Sequence, residues 1–215
     1  MGDREDMKPR EVPDFPPAEG RRAGDGLLRR GRSYGDRAIA GLRGDELDAV
    51  RGAQAGSLSD LERLFREHWP RAYRAAYLVV HDGGAAEDIT QEAFLAAIRS
   101  LDGFDRRRRF GPWLDGIVIN RSIDWAKSQA LRAEVGDGPL AAVSEEDHVD
   151  RSFSPPIVAA LAALTPEERA VIVLRHLLEY TPGEIAELLE LPRGTVKSRL
   201  SRGLDELADL LEGER

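Results

Sequence analysis

The residues best suited to chemistry lie near the C-terminus and are cations and hydroxyls rather than nucleophiles. The segment 193–203 holds four positive charges and no acid. On a helix, its polar side chains share one face and the flanks of that face: Arg193, Thr195, Lys197, Ser198, Arg199, Ser201 and Arg202. Cations and free amides at a helix N-terminus bind phosphate and suit a major groove. The pattern predicts a DNA-recognition helix, with a solvated basic face on an ordinary bundle as the alternative.

No catalytic or metal site is predicted. The chain has no cysteine. Its four histidines have no paired ligand spacing, and no Gly-x-x-x-x-Gly-Lys loop is present: His68, His81, His148 and His176 are scattered. The sequence therefore predicts a protein that is not an enzyme and needs no cofactor or metal.

Composition favours a soluble, helix-rich protein. The chain has 215 residues, of which 41% are hydrophobic and only 6% aromatic. Its longest apolar run, Ile157 to Leu164, is far shorter than a membrane span, and the N-terminus lacks the apolar core of a signal peptide. These features predict a cytoplasmic protein without membrane insertion. The net charge of −8 does not exclude DNA binding, because phosphate neutralisation is local and the acid surplus lies after residue 130.

The glycine and proline content and the apolar periodicity divide the chain into four segments. Residues 1–57 are predicted to be a disordered extension, with a short helix around residues 45–50 left open. Residues 58–132 and 155–215 show helical periodicity, and residues 133–154 are an acidic, flexible linker. The predicted fold is all-α, with two small helical domains.

Local signals place the helices of the first domain. Ser59 to Glu62 match a capping box, and Pro70 is expected to kink or split the helix that follows. A second helix is predicted over about 85–101. Pro112 suits the first turn of a third.

The second domain has the helix-capping and helix-breaking residues of a helix-turn-helix. Thr165 and Thr181 each begin a capping box with proline at the first helical position. A break over residues 191–194 precedes a last helix predicted from Thr195. The apolar side of that helix is expected to be buried: Val196, Leu200, Leu204, Leu207 and Leu211.

The motifs of both domains resemble those of one family. Residues 188–203 contain Gly-Thr-Val-Lys-Ser-Arg-Leu, which resembles region four of the extracytoplasmic-function (ECF) group of bacterial sigma factors. Residues 87–94, Glu-Asp-Ile-Thr-Gln-Glu-Ala-Phe, are similar to the region-two signature, and residues 113–124 resemble the helix that follows it. The resemblance covers about 58–211. It implies a transcription initiation factor that binds core RNA polymerase and reads a two-part promoter.

The resemblance assigns a role to each motif. Asp88, Gln91 and Glu92 share one helix face and match residues that grip the coiled coil of the polymerase β′ subunit, whereas region four would contact the β flap. The residues that match the recognition helix would bind the minus-thirty-five element. An anti-sigma factor is a further expected partner.

Capture of the minus-ten element is expected from the loop before the third helix and from that helix. Single-strand capture needs cations and planar groups. The matching residues are Arg106, Arg107, Arg108, Arg109, Phe110, Trp113, Asn120 and Lys127. Core packing is the alternative for Trp113, and helix packing for Asn120. The chain departs from the family after Asp124, where only Lys127 and Arg132 replace a dense arginine run.

Two other functions compete with initiation. A stand-alone helix-turn-helix regulator would explain the C-terminal domain but leave the patch at Asp88 without a purpose. A sigma-like decoy would occupy polymerase without supporting a transcript, and the thin basic content after Asp124 is compatible with it.

Overall fold

The computed structural model describes residues 36–135 and 155–212. Every regular element in this part of the chain is helical, which confirms the predicted fold class. The helices are α1 (Asp36–Gln54), α2 (Leu58–Val80), α3 (Gly83–Arg99), α4 (Phe110–Val135), α5 (Pro155–Ala163), α6 (Pro166–Ile172), α7 (Pro182–Leu188) and α8 (Arg193–Glu212).

Helices α1 to α4 form the first bundle, with a core of aliphatic and small residues. Large side chains such as Leu64, Leu78 and Leu114 are fully buried. The cap of α2 differs from the prediction, because Ser57 rather than Ser59 accepts a hydrogen bond from the Asp60 amide. Helix α2 also runs unbroken past Pro70, so the proline does not split it.

Helix α1 corrects the prediction of disorder over part of residues 1–57. Ala49 and Val50 are buried in the first bundle. Glu46 accepts a hydrogen bond from the amide of Gly111 in the first turn of α4, at 3.1 Å. Gly52 permits close approach to α2, since a Cβ there would lie 1.9 Å from Asp60 Oδ2. The short helix left open around residues 45–50 lies within α1, which is longer than its sparse apolar residues indicate. Its burial depends on contacts with residues distant in sequence. Residues 1–35 lie outside the described part.

The predicted linker begins later than expected. Helix α4 continues to Val135, so residues 133–135 are helical. The remaining linker residues, 136–154, lie outside the described residues.

Helices α5 to α8 form the second bundle. The capping box at Thr181 is confirmed, because its hydroxyl accepts from the Glu184 amide while the Glu184 carboxylate accepts from the Thr181 amide. Thr165 also caps its helix, but Glu168 accepts from the Thr165 hydroxyl instead of the backbone. Helix α6 passes into a π-helical turn over residues 173–177. Helices α7 and α8 then form the predicted helix-turn-helix.

Helix α8 begins at Arg193, two residues before the predicted start, and only its first half has a buried apolar face. Val196 and Leu200 are buried against the bundle, whereas Leu204 and Leu211 are 42% and 37% exposed. The expectation that all five apolar residues are buried is therefore wrong. Helix α8 packs on α5, α6 and α7, and in its second half Leu207 is partly buried against the core.

Candidate nucleic-acid and protein interfaces

The polar face of α8 that is predicted to bind DNA is largely exposed to solvent. The exposed side chains are Arg193, Lys197, Ser198, Ser201 and Arg202, whereas Thr195 and Arg199 are half-buried. Ser198 donates to the carbonyl of Thr195 at 3.0 Å. The helix thus offers cations and hydroxyls along its first three turns, the side-chain types that contact phosphates and base edges.

One recognition-helix cation has an acidic neighbour. Arg202 Nε lies 3.4 Å from Glu168 Oε1, and Glu168 is nearly buried while Arg202 remains 67% exposed. Thr165 donates its hydroxyl to the other carboxylate oxygen at 2.6 Å. Because Glu168 is held by its own helix cap, it can orient the Arg202 guanidinium through Nε while the side chain stays largely exposed.

The arginine loop, residues 106–109, lies between α3 and α4 with all four side chains exposed. Asp105 orders its backbone: the Asp105 carboxylate accepts from the Arg107 amide at 3.0 Å, and the Asp105 carbonyl accepts from the Arg108 amide at 2.9 Å. The four cations therefore project from a defined turn.

The two rings after this loop differ in exposure. Phe110 is only 4% exposed and lies against Phe104 and Trp113, so it is a core residue in this arrangement. The expected stacking of Phe110 on a base is not supported by this geometry. Trp113 is half-buried, with its ring centre 4.7 Å from that of Phe104. Much of the Trp113 side chain therefore packs against the core, which was the alternative to base stacking.

Two further candidates on α4 have different surroundings. Asn120 is exposed. Lys127 is half-exposed, and its Nζ lies 2.7 Å from Glu167 Oε1 in the second bundle. Partial burial raises the pKa of Glu167, but the hydrogen bond from Lys127 and neighbouring positive charge outweigh it, so the net pKa is lowered. Lys127 therefore already has an anionic partner.

Helix α3 exposes the predicted polar patch. Asp88, Gln91 and Glu92 all face solvent, beside the exposed apolar side chain of Leu95. Arg121 of α4 donates to Glu92 Oε2 at 2.9 Å, which fixes one edge of the patch. The surface offers carboxylates, an amide and an apolar side chain to a protein partner.

A buried polar cluster between the bundles was missed by the sequence reasoning. Asp115 is 3% exposed and accepts hydrogen bonds from the Tyr180 hydroxyl at 2.6 Å and from Arg71 at 3.2 Å. Burial raises the pKa of Asp115, against the opposing effects of Arg71 and Tyr180. An acid on the apolar face of α4, between Leu114 and Gly116, was the only signal in the sequence.

Residues 36–135 and 155–212 contain neither a candidate metal site nor a candidate membrane-spanning helix. No group of three or more His, Asp or Glu side chains within those ranges is arranged to hold a metal ion. None of the helices there combines the length and apolar character that crossing a membrane requires.

Two family models match the chain in the predicted order. The model described as sigma-70 region 2 matches residues 64–132, and the model described as sigma-70, region 4 matches residues 156–207. The first match covers the first bundle from residue 64 onward, including the polar patch and the arginine loop. The second covers the helix-turn-helix.

Similar proteins agree with these matches. The ECF RNA polymerase sigma factor SigW of Bacillus subtilis is 31% identical over 175 residues, covering 74% of this chain and 90% of SigW. The ECF sigma factor BldN of Streptomyces coelicolor is 33% identical, covering 77% of this chain but 65% of BldN. In structure, CnrH solved with the cytosolic domain of CnrY is similar with a TM-score of 0.60 and 25% identity, covering 80% of this chain and 99% of that chain.

These matches cover both bundles, and members of the matched family are transcription initiation factors without enzymatic activity of their own. Region two corresponds to the first bundle and region four to the helix-turn-helix domain. The chain belongs to the ECF sigma factors of bacterial RNA polymerase.

Proposed function

We propose that this sigma factor binds core RNA polymerase, reads a two-part promoter as a single copy and directs initiation at a signal-responsive set of genes. The observation that carries the proposal is that one chain presents an exposed cationic recognition helix and, on a separate bundle, an exposed acidic patch beside an arginine loop. A DNA-binding regulator needs only the first of these surfaces. The action of core polymerase on the chromosome places the protein in the cytoplasm.

Region four would read the minus-thirty-five element through the first half of α8. Arg193 and Lys197 are exposed cations at the N-terminal end, where free amides also favour phosphate. Arg202 lies further along the same surface, and Glu168 restricts its approach. We assign phosphate contacts to the helix start and a base contact to Arg202. The remaining candidates, Thr195, Ser198, Arg199 and Ser201, line the same surface.

Region two would capture the minus-ten element through the arginine loop. Four exposed cations on a turn held by Asp105 suit a single-stranded backbone. Trp113 offers a partly exposed ring beside that loop, and Asn120 offers an exposed amide on α4. Phe110 would support the loop from the core.

Polymerase binding is assigned to the patch of Asp88, Gln91 and Glu92, with the β′ coiled coil as its partner, while region four contacts the β flap. Charge reversal with Asp88→Arg is expected to weaken core binding by about fivefold or more, without unfolding the domain. Asp102→Arg makes the same charge change at an exposed acid outside the patch. Equal affinities of the two variants in a competition assay would refute the assignment.

Run-off transcription on fragmented genomic DNA tests the function as a whole. Purified core polymerase is incubated with and without the protein, and the 5′ ends are sequenced. New start sites that share two spaced upstream elements would support the proposal. Core binding without new start sites would favour the decoy, which the pairing of Lys127 with Glu167 makes the stronger alternative. A symmetric footprint would favour a dimeric regulator.

An anti-sigma factor is the proposed regulatory partner. CnrH, which has a similar structure, was solved with the cytosolic domain of CnrY, and this supports a protein partner for the present fold. Affinity purification from unstressed cells should recover a protein that suppresses the run-off transcripts when added back. Failure to recover such an inhibitor would count against this partner.

A further inference from the structure

Helix α1 contacts both ends of the connection between α3 and α4, residues 100–109, which contains the arginine loop. At the first end, Gln54 Nε2 donates to the carbonyl of Leu101 at 2.7 Å. At the second end, the amide of Gly111 donates to Glu46 Oε1 at 3.1 Å. Glu46 and Gln54 lie two turns apart, which separates the two contacts by about 12 Å along α1. One helix therefore holds both ends of the segment from which the loop cations project.

The contact at the start of α4 belongs to a packed cluster. The Glu46 side chain is only 14% exposed, and His68 Nε2 lies 3.3 Å from the same carboxylate oxygen that accepts from Gly111. The centre of the Phe110 ring lies 5.2 Å from that of the His68 ring. A Cβ at residue 111 would lie 3.1 Å from His68 Cε1 and 3.6 Å from Glu46 Oε1. This close approach of α4 to α1 and α2 therefore depends on the absence of a side chain at Gly111.

The charge of Glu46 suits its position beside the arginine loop. Burial raises the pKa of Glu46, but contact with His68 and with the Gly111 amide outweighs burial, so the net pKa is lowered. The positive charge of Arg109 acts in the same direction. A carboxylate at a helix N-terminus is also stabilised by the free amides and the helix dipole. Glu46 therefore holds the first turn of α4 as an anion.

Helix α1 is itself anchored in the first bundle. Ala49 and Val50 are buried there. Gly52 lies so close to α2 that a Cβ would come within 1.9 Å of Asp60 Oδ2. The match to the sigma-70 region 2 model begins at residue 64, so α1 lies outside it. The two contacts thus tie the connection to a packed helix that precedes the matched region.

The arginine loop needs such an anchor. Four neighbouring cations repel one another, so their arrangement depends on the backbone that carries them. Asp105 orders the turn internally through the Arg107 amide, but this contact does not fix the turn relative to the bundle. A loop that is ordered before binding avoids the entropy cost of ordering it on a nucleic-acid strand.

We propose that α1 braces the arginine loop and that Glu46 is a positioning residue for capture of the minus-ten element. Glu46 anchors the start of α4, and Gln54 anchors the 3₁₀ turn Leu101–Gly103 that follows α3. Together they set the direction in which the loop cations project. The inference rests on the proposed function for its consequence, whereas the bracing itself can be measured in the free protein.

The first test measures the order of the loop in the free, full-length protein. The chain has no cysteine, so Arg107→Cys and Ser128→Cys each give one site for a nitroxide label, in the loop and at an exposed position further along α4. Glu46→Ala removes the acceptor of the Gly111 amide, and Asp48→Ala is the matched control at an exposed acid of α1. Glu46→Ala should raise the mobility of the loop label alone, while the control should change neither label. Equal loop mobility in the two variants would overturn the proposal.

The second test measures DNA binding by the holoenzyme formed with core polymerase. One probe is a single-stranded oligonucleotide with the minus-ten element found by run-off transcription, and the other is a duplex that carries the minus-thirty-five element without the minus-ten element. Glu46→Ala should bind the first probe about three- to tenfold more weakly than Asp48→Ala does, because the loop is then ordered only on binding. Both variants should bind the second probe equally, a split that general destabilisation would not produce. Equal binding of the first probe by the two variants would overturn the proposal.

Two further variants separate positioning from stability. Glu46→Gln keeps a carbonyl oxygen that can accept from the Gly111 amide and should recover most of the binding to the minus-ten probe. A loss as large as that of Glu46→Ala would contradict positioning through this hydrogen bond. Gln54→Met keeps the side-chain length but releases Leu101 at the other end of the connection, so it tests the brace even if Glu46→Ala does not fold. Unchanged loop mobility and minus-ten binding in Gln54→Met would overturn the proposal.

Failure of the brace and failure of the proposed function can be told apart. If Glu46→Ala frees the loop label but the wild-type holoenzyme neither binds a minus-ten strand nor supports a transcript, the brace holds and the proposed function fails. If the wild type binds and transcribes and Glu46→Ala does both equally well, the proposed function holds and the positioning role of Glu46 fails.

Discussion

The two surfaces proposed to read DNA differ in how far each is available in this structure. On α8 the cations at the helix start, Arg193 and Lys197, are exposed, and Arg202 is oriented by a carboxylate of its own domain. On α4 the corresponding cation, Lys127, is bound by a carboxylate of the other domain. The first surface is complete within region four. The availability of Lys127 on α4 depends on the position of region four, which carries Glu167.

This difference arises from the sequence separation of the residues that form each surface. Helix α8 contacts α6 and α7, which precede it in the same domain, and its residues Val196 and Leu200 are buried. The environment of Lys127 is set by Glu167, forty residues later and across a domain boundary. The exposed face of α8 can thus be predicted from sequence close to it, whereas the surroundings of Lys127 depend on how the two bundles pack together.

The largest expected effect separates the two halves of α8. Leu200→Ala removes a buried side chain and should lower the free energy of unfolding by about 2–4 kcal/mol, because it leaves a cavity under the recognition surface. Leu204→Ala, at a residue that is 42% exposed, should cost less than about 1 kcal/mol. Urea unfolding of both variants measures the difference. Equal costs would mean that the second half of α8 is buried in solution.

Acid should weaken the contact between the bundles through His81. Burial, followed by the nearby Arg169 cation, lowers the pKa of His81 to about 4 from 6.5. Between these values the unfolded chain binds more protons than the folded one, so stability is lost as pH falls from about 6.5 to about 4. The full loss of stability from this group is about 3 kcal/mol.

His81→Asn is the matched control for this pH dependence. His81 has a φ of 56°, in the left-handed region that asparagine tolerates, so the backbone can be kept while the titrating group is removed. The free energy of unfolding of the wild type, minus that of the variant, should fall as pH is lowered through this window. A difference that does not change with pH would show that His81 is not the group responsible.

Prediction from sequence succeeded where local signals were dense. The hydroxyl caps at Thr165 and Thr181 follow from spacing alone and are confirmed by the structure. The prediction of Ser59 as the cap of α2 is wrong, because the helix begins at Leu58 and Ser57 caps it. The sequence leaves open only a short helix around residues 45–50, and the full length of α1 could not be predicted because its buried side chains, Ala49 and Val50, are too few to give a clear period.

The candidate sites divide in the same way. The exposed faces of α3 and α8 could be read from helical spacing. The burial of Phe110 could not, because it depends on Phe104 and on the packing of the whole first bundle. The contacts of Asp115 with Tyr180 and of Lys127 with Glu167 join residues far apart in sequence, and no local pattern encodes them.

Base reading within region four can be separated from phosphate binding. If Arg202 reads a base, Arg202→Ala should relax specificity at one promoter position at a cost of about 1–3 kcal/mol. Lys197→Ala, at an exposed cation nearer the helix start, should weaken binding uniformly across promoters. Binding to a library of promoter variants measures both effects. A uniform loss for Arg202→Ala would make it a phosphate contact.

The smallest expected effect is a direct measure of how far Glu167 competes with DNA. A cation that neutralises one phosphate contributes roughly 0.7–0.9 to the slope of log affinity against log salt concentration. Arg108→Ala, in the exposed loop, should therefore reduce that slope by close to this amount. Lys127→Ala should reduce this slope by less than half as much, because Glu167 already neutralises Lys127 in this structure.

The same measurement in the Glu167→Gln background completes the comparison. With the Glu167 carboxylate removed, Lys127→Ala should reduce the slope about as much as Arg108→Ala does. Both Lys127 and Arg108 then have only a DNA phosphate as their anionic partner. If Lys127→Ala has the same small effect in both backgrounds, Lys127 makes no phosphate contact, and the minus-ten surface consists of the arginine loop without the later turns of α4.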